Sequence, residues 1–323
     1  MGRRRKGDAV SGWIAVDKPL GMGSTDAVSK VRRLFNAQKA GHAGTLDPLA
    51  TGCLPIALGE ATKTVPFLME ARKVYRFTLE WGVTTTTLDK EGSVTATSDV
   101  RPSVEATEAA LPQFVGEIMQ APPIYSAIKI DGERAYDLAR EGVEVKMTPR
   151  QVRIYSAFVA EAPDADHITI EIECGKGAYV RALARDLATM LGAEGHVSAL
   201  HRARVGGFAE PNLISLEKLS QLVQNSAGSK ALLPVETALD DIPALAITNE
   251  DAFRLRQGRS IVLLPRQVEA LKTRLVSQTS KSGGAGQDAS RIVSTTSGGS
   301  VVALCELRAG RLSPTRVFHT SET

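Results

Sequence analysis

The stretch AGHAGTLDPLATG, from Ala40 to Gly52, sets the tightest limit on what this chain can fold into. Gly41, Gly44, Gly52 and Pro48 interrupt any helical or strand period within it. The chain must turn there, and it turns while carrying a histidine and a carboxylate, His42 and Asp47. Two readings are open at this point. Asp47 can form an Asx-turn ahead of Pro48, with His42 an ordinary loop residue. Alternatively, Asp47 is a working carboxylate on a rigid loop whose glycines let a substrate approach the backbone closely.

The flanking segments carry clear periods. GWIAVDKPLGMGSTDAVSKVRRLFN reads as strand, turn and helix. Trp13 to Val16 is the strand, Ser24 or Thr25 caps the helix, and Val28, Val31, Leu34 and Phe35 form its apolar face. CLPIAL is a short buried strand, and EATKTVPFLMEA is helical despite Pro66. In KVYRFTLEWG, Tyr75, Phe77, Leu79 and Trp81 alternate onto one face of a strand. Ser103 starts a helix through Leu111. APPIYSAIKIDGERAYDLAREGVEV mixes turn, strand and short helix, and strands follow at 151–160 and 167–174. AYVRALARDLATMLG is the strongest helix, with a stripe of Val180, Leu183, Leu187 and Leu191 and with Gly192 as its stop. HVSALHRARV is a strand, and Ser215 caps a helix through Val223.

Several strands are joined too closely for helical crossovers. An α/β (α+β) fold with a mixed, largely antiparallel sheet is therefore expected, rather than a doubly wound one. A boundary is expected at 240–245, in DDIPAL. Beyond it AIT, SIVLL, TRLV, SVVALCEL and PTRVF read as strands of a small β-rich domain. Within that domain, 15 of the 24 residues from 277 to 300 are Ser, Gly or Thr, a composition that predicts a disordered loop.

Charge and motif content exclude several function classes. The net charge of +3 is mildly basic, but residues 1–40 hold nine Lys or Arg against three Asp. GRRRKG opens the chain, as a solvated tail or as an arm that meets phosphate. No apolar run reaches the ~18 residues of a membrane span. The start lacks the apolar stretch of a secretory signal, and Lys6 stands where a myristoylation signal needs Ser or Thr. Cys53, Cys174 and Cys305 are far apart and odd in number, which suits buried apolar residues better than disulfides or a zinc site. A cytoplasmic location is expected. The five histidines contain no HExxH pair, and neither a GxxxxGK phosphate loop nor a GxSxG elbow is present. What remains is carboxylate chemistry with no metal and no cofactor.

GWIAVDKPLGMGSTDAVSKVRR, KAGHAGTLDPLATGCLPIALGEATK, KVYRFTLEWGVTTTTLDKEG and ECGKGAYVRALARDLATMLG, in this order and spacing, resemble the bacterial tRNA pseudouridine synthase B (TruB) family over residues 10–220. The resemblance implies an enzyme that isomerises the T-loop uridine of tRNA, at position 55, to pseudouridine. Asp47 matches the family's catalytic aspartate, Tyr75 the tyrosine that stacks on the base, and Arg181 the arginine that pairs with the carboxylate. Tyr179 and Leu200 match residues lining the uracil pocket, and Asp89 either an acid that orients Arg181 or a residue that serves its turn. His42 matches the histidine that fills the space left by the flipped base. Lys18 and Pro19 lie in the family's first motif and support the loop or the RNA. The resemblance further implies a pseudouridine synthase domain at 10–242 behind a basic arm at 1–9, with an RNA-clamping insertion at 121–146. Lys129, Arg134 and Arg140 are the expected phosphate contacts of that insertion, and a PUA-like domain is expected at 243–323. A monomer that needs tRNA but no guide RNA and no membrane follows. The rival readings are an RNA-folding protein without catalysis, a guide-RNA-dependent synthase, and a carboxylate glycosidase using Asp89 as its second acid.

Overall fold

The computed structural model describes residues 7–126, 128–130, 132–143, 145–282 and 291–319, with only the backbone of 134 and of 276–282. The first part of the basic arm, residues 1–6, lies outside the described residues.

The chain begins with β1 (Gly12–Lys18), α1 (Ser24–Leu34), β2 (Ala40–His42), β3 (Ala50–Leu58), α2 (Val65–Glu70) and β4 (Lys73–Trp81). A hairpin of β5 (Val83–Thr85) and β6 (Val94–Thr97) follows, then α3 (Val104–Ala110) and β7 (Gly116–Gln120). The next segment holds β8 (Lys129–Ile130), β9 (Glu133–Arg134) and α4 (Ala135–Arg140). After it come β10 (Arg150–Glu161), β11 (His167–Cys174), α5 (Val180–Met190) and β12 (Gly195–Val205). Short strands β13 (Phe208–Ala209) and β14 (Ile214–Ser215) lead into α6 (Leu216–Gln224). The last part contains β15 (Ala244–Ala246), α7 (Asn249–Arg256), β16 (Ile261–Val262), α8 (Pro265–Ser282), β17 (Ile292–Ser297), β18 (Ser300–Arg308) and β19 (Arg311–Val317).

Ten strands form one sheet whose main path runs β14-β1-β3-β12-β4-β11-β10-β7. The β1–β14 and β3–β12 pairs are parallel and the others antiparallel, so the sheet is mixed and largely antiparallel. Alternation along β1 explains the two-sided core. Ile14 and Val16 face one apolar cluster with α1 and α5, while Trp13 and Ala15 face another with Phe208. On α5, Val180, Leu183 and Leu187 are buried and Leu191 packs beside them; Gly192 follows in the left-handed region at φ 65°. Ser103 and Ser215 accept the first free N–H groups of α3 and α6.

A second, five-stranded sheet, β15-β17-β18-β19-β16, packs with α7 and α8. Its outer side touches the first sheet: Val301, Leu304 and Phe318 join the Trp13 cluster. Lys63 donates to the Val317 carbonyl at 2.7 Å, and Glu60 accepts the His319 N–H at 2.7 Å.

Three expectations are corrected. Neither Ser24 nor Thr25 caps α1; Gly23 holds that position, and the Ser24 hydroxyl is engaged with Leu46 instead. TRLV lies in α8, because Val268, Leu271 and Leu275 recur at helical spacing and bury one face against Leu255 and Val293. The segment 277–300 is not one disordered loop. It includes the end of α8 and strand β17, whose Val293, Ser294 and Thr295 are buried. Hydrogen bonding within a sheet outweighs the local composition there. The remaining part, 283–290, lies outside the described residues.

Val293 gives a direct check. Val293→Asp places an unpaired charge in the second core and costs several kcal/mol. The expected outcome is loss of the cooperative melt of the C-terminal sheet and its rapid cleavage by protease. A disordered segment would tolerate the change.

Candidate active site

β2 and β3 are antiparallel neighbours, so Asp47 sits on the short link between two strands of the sheet. The link is fastened from several sides. The Ala43 N–H donates to Pro55 and the Ala50 N–H to the Asp47 carbonyl. The Ser24 hydroxyl accepts the Leu46 N–H and donates to the Leu46 carbonyl, both at 2.8 Å, directly before Asp47. Lys18 is fully buried at the end of β1 and donates to the carbonyls of Pro19, Met22 and Pro48. Burial lowers its ammonium to about 8, with Asp47 opposing the shift. Gly44 and Gly52 both adopt positive φ, 99° and 94°, which the loop's reversal requires.

The Asp47 carboxylate meets a buried guanidinium. Arg181 Nη2 lies 2.7 Å from Asp47 Oδ2, and its Nη1 lies 3.2 Å from Asp89 Oδ2. Nη1 also donates to the Thr87 carbonyl at 2.9 Å and Nη2 to the Tyr125 carbonyl at 3.0 Å. Arg181 therefore bridges two carboxylates with one nitrogen each, rather than holding Asp47 through two parallel bonds. The two acids differ in exposure: the Asp47 side chain is 40% exposed and that of Asp89 only 3%. Asp89 also accepts from the Thr87 hydroxyl and the Glu91 N–H, so it is fixed in its turn while it meets the arginine.

Tyr75 on β4 is the cross-strand partner of Arg202 on β12. Burial pushes its phenol up, and Arg202 pulls it the other way. Leu200 pairs with Ala50 on one side and Phe77 on the other. Tyr179 precedes α5; its N–H donates to Gln120 at 2.8 Å, and burial raises its phenol. His42 ends β2, and its Nδ1 is buried with no hydrogen-bond partner among the described residues. Burial, with Arg202 second, lowers the imidazole, so it is neutral at pH 7. Pro19 is exposed on the adjoining turn, where its carbonyl accepts from Lys18. Cys53, Cys174 and Cys305 are buried, with thiols pushed up to about 12 by desolvation. Among the described residues, no His, Cys, Asp and Glu group is arranged to hold a metal ion.

Sequence reasoning missed Arg202. Its side chain is 1% exposed, and Nε donates to Cys53 at 2.8 Å, Nη2 to Gly44 at 3.0 Å and Nη1 to Thr45 at 3.4 Å. Simple alternation along HVSALHRARV does not predict this. Register shifts between Val197 and Ala199 and between Arg202 and Arg204 move residues from one face to the other.

A family profile described as the TruB family pseudouridylate synthase N-terminal domain matches residues 32–180. A second, described as the tRNA pseudouridylate synthase B C-terminal domain, matches 181–240. A Caulobacter vibrioides protein named tRNA pseudouridine synthase B is 64% identical over 318 residues, 98% of this chain and 99% of that one. A Nitrobacter winogradskyi protein of the same name is 52% identical over 99% of this chain and 85% of its own. The chain belongs to the TruB family of pseudouridylate synthases. Among solved structures, a Cbf5-Nop10-Gar1 complex aligns with TM-score 0.69 and 25% identity, covering 95% of this chain and 85% of that one. An H/ACA RNP bound to a substrate RNA shares the fold at TM-score 0.69 and 21% identity, over 96% of this chain and 85% of that one. The boundary between the two TruB profiles falls in the first turn of α5, between Val180 and Arg181. The matched segments thus share one sheet, with β12 of the second seated between β3 and β4 of the first.

Lys73, also buried, is lowered to about 8. Both Lys18 and Lys73 bind protons more weakly when folded than unfolded. Between about pH 8 and 10.5 the unfolded chain therefore holds more protons, and stability from these groups rises with pH. NMR titration is expected to show two lysines with midpoints near 8, one lost in Lys18→Arg and the other in Lys73→Arg. Midpoints above 10 for both would contradict the buried geometry.

Proposed function

We propose that this chain, without a guide RNA, is a tRNA pseudouridine synthase acting on the T-loop uridine, with Asp47 as the nucleophile. The observation that carries the reading is a half-exposed carboxylate held by a buried arginine, in a chain 64% identical to a named tRNA pseudouridine synthase B. The reaction breaks the bond from ribose C1′ to N1 and forms one from C1′ to C5. The C5 hydrogen leaves as a proton and a proton returns to N1, so nothing is oxidised and no group carrier is needed. A carboxylate attacks as the anion, and the Arg181 guanidinium at 2.7 Å fixes where it sits. Asp47 adds to the uracil ring or attacks C1′; either route uses the same residue in the same place.

The target base is stacked inside the folded T loop and must be flipped out, at a cost of a few kcal/mol. His42, neutral and at the loop's start, fills the vacated stack without bringing a charge into it. Tyr75 stacks on the flipped uracil and helps remove the C5 proton, while Tyr179 and Leu200 wall the pocket. The 121–146 segment clamps the T arm. Lys129 and Arg134 are paired across the β8–β9 hairpin, and the Arg140 guanidinium lies over the Tyr136 ring at 4.3 Å. Residues 243–323 form a PUA-like RNA-binding domain behind the 10–242 synthase domain, and a single chain is the active unit.

Incubating purified chain alone with unmodified tRNA, and mapping pseudouridine chemically, tests the reading. Conversion only when another RNA or protein is added would replace it with the guide-dependent alternative. Asp47→Asn is nearly isosteric and is expected to abolish single-turnover conversion while tRNA affinity stays within severalfold. Arg181→Lys keeps the charge but cannot span Asp47, Asp89 and two carbonyls from one planar group. A loss of about 100-fold in the single-turnover rate is expected, since ~1 Å of misplacement has that effect. A lysine variant as fast as wild type would leave charge alone as the explanation.

A further inference from the structure

We propose that Arg202 is a positioning residue, which sets Asp47 at its working distance from Tyr75 by holding the backbone of the loop that carries Asp47. The proposal rests on the reading of the chain as a tRNA pseudouridine synthase and adds a residue to that site.

The geometry is specific to this place. Arg202 donates to backbone carbonyls on both sides of Asp47: Gly44 and Thr45 before it, Cys53 after it. Within the sheet, Arg202 pairs with Gly52 on β3 and with Tyr75 on β4. One planar group therefore ties both ends of the Asp47 loop to the strand that adjoins Tyr75, and its guanidinium carbon lies 6.0 Å from that ring's centroid. The loop is shaped to admit it. A Cβ on Gly44 would stand 3.3 Å from Arg202 Nη1, and one on Gly52 would come 2.5 Å from the Arg202 carbonyl.

The charge is the second part of the argument. Arg202 is buried to 1% exposure, and none of the ion pairs among the described residues includes it. Burying an unpaired cation is costly, and an apolar side chain would fill the same volume without that cost. What an apolar residue cannot do is hold three carbonyls in a fixed plane. The fork of a guanidinium does this, whereas an ammonium is a single point contact. The Arg181 bridge fixes the carboxylate of Asp47, and Arg202 fixes the backbone from which that carboxylate projects.

The test is single-turnover conversion of unmodified tRNA by wild type, Arg202→Lys and Arg202→Met at saturating enzyme. Urea melts and tRNA binding are measured on the same preparations. The expected result is full conversion at a rate constant lowered ~100-fold in the methionine variant and at least ~10-fold in the lysine variant. Both variants should melt cooperatively and bind tRNA within about threefold of wild type. Rate constants within about threefold of wild type would overturn the proposal. So would a lowered amplitude at an unchanged rate constant, which marks a folding role only. A tRNA affinity falling in step with the rate would make Arg202 an RNA contact, and failure of both variants to fold would make it a folding element; either result also ends the proposal. If wild type itself converts no uridine, the parent reading fails, and the variants are not what decides it.

Discussion

The Arg181 guanidinium joins three separate parts of the chain at one point. It takes Asp47 from the β2–β3 link, Asp89 and the Thr87 carbonyl from the β5–β6 hairpin, and the Tyr125 carbonyl from the segment before β8. Such a bridge is costly to desolvate and weak as a source of net stability, but breaking it leaves Asp89 as an uncompensated buried charge. The two carboxylates also differ in exposure. Asp89 is sealed into its turn, while Asp47 keeps the open side that the proposed reaction requires.

The loop beneath that bridge is held by contacts to its backbone as well as by the buried Leu46 side chain. Lys18 and Arg202 enter it from two different strands, and each donates to its carbonyl oxygens. Ser24 enters from α1 and holds both polar groups of Leu46. A loop rich in glycine would otherwise sample many conformations, at an ordering cost of about 1–2 kcal/mol per residue. The glycines that allow the turn are thus the reason such anchors are needed.

Much of the fold was legible because the periods are strong and local. The alternation from Tyr75 to Trp81 and the Val180–Leu191 stripe both settled where the sequence places them, since each buries one continuous face. Legibility failed where a residue's partner lies far along the chain. Ser24 looks like a cap, yet its hydroxyl is taken by Leu46, 22 positions away. TRLV looks like a strand in a short window, and only its spacing to Val268 and Leu271 shows the helix. The Ser- and Thr-rich run at 294–297 looks solvated, yet β17 lies between β15 and β18 with its hydrogen bonds satisfied by neighbours.

The sequence by itself determined the family and the sheet type, and it singled out Asp47 as the acid of the proposed reaction centre. These are carried by contiguous motifs whose residue types and spacing are readable without coordinates. Only the tertiary structure decided how that acid is held. That Arg181 bridges two carboxylates, and that Arg202 meets Gly44, Thr45 and Cys53, depends on strands β3, β12 and β4 being neighbours and on the bulges within β12. A bulge changes which face a side chain takes without changing the residues that flank it, so no local pattern in the sequence records it.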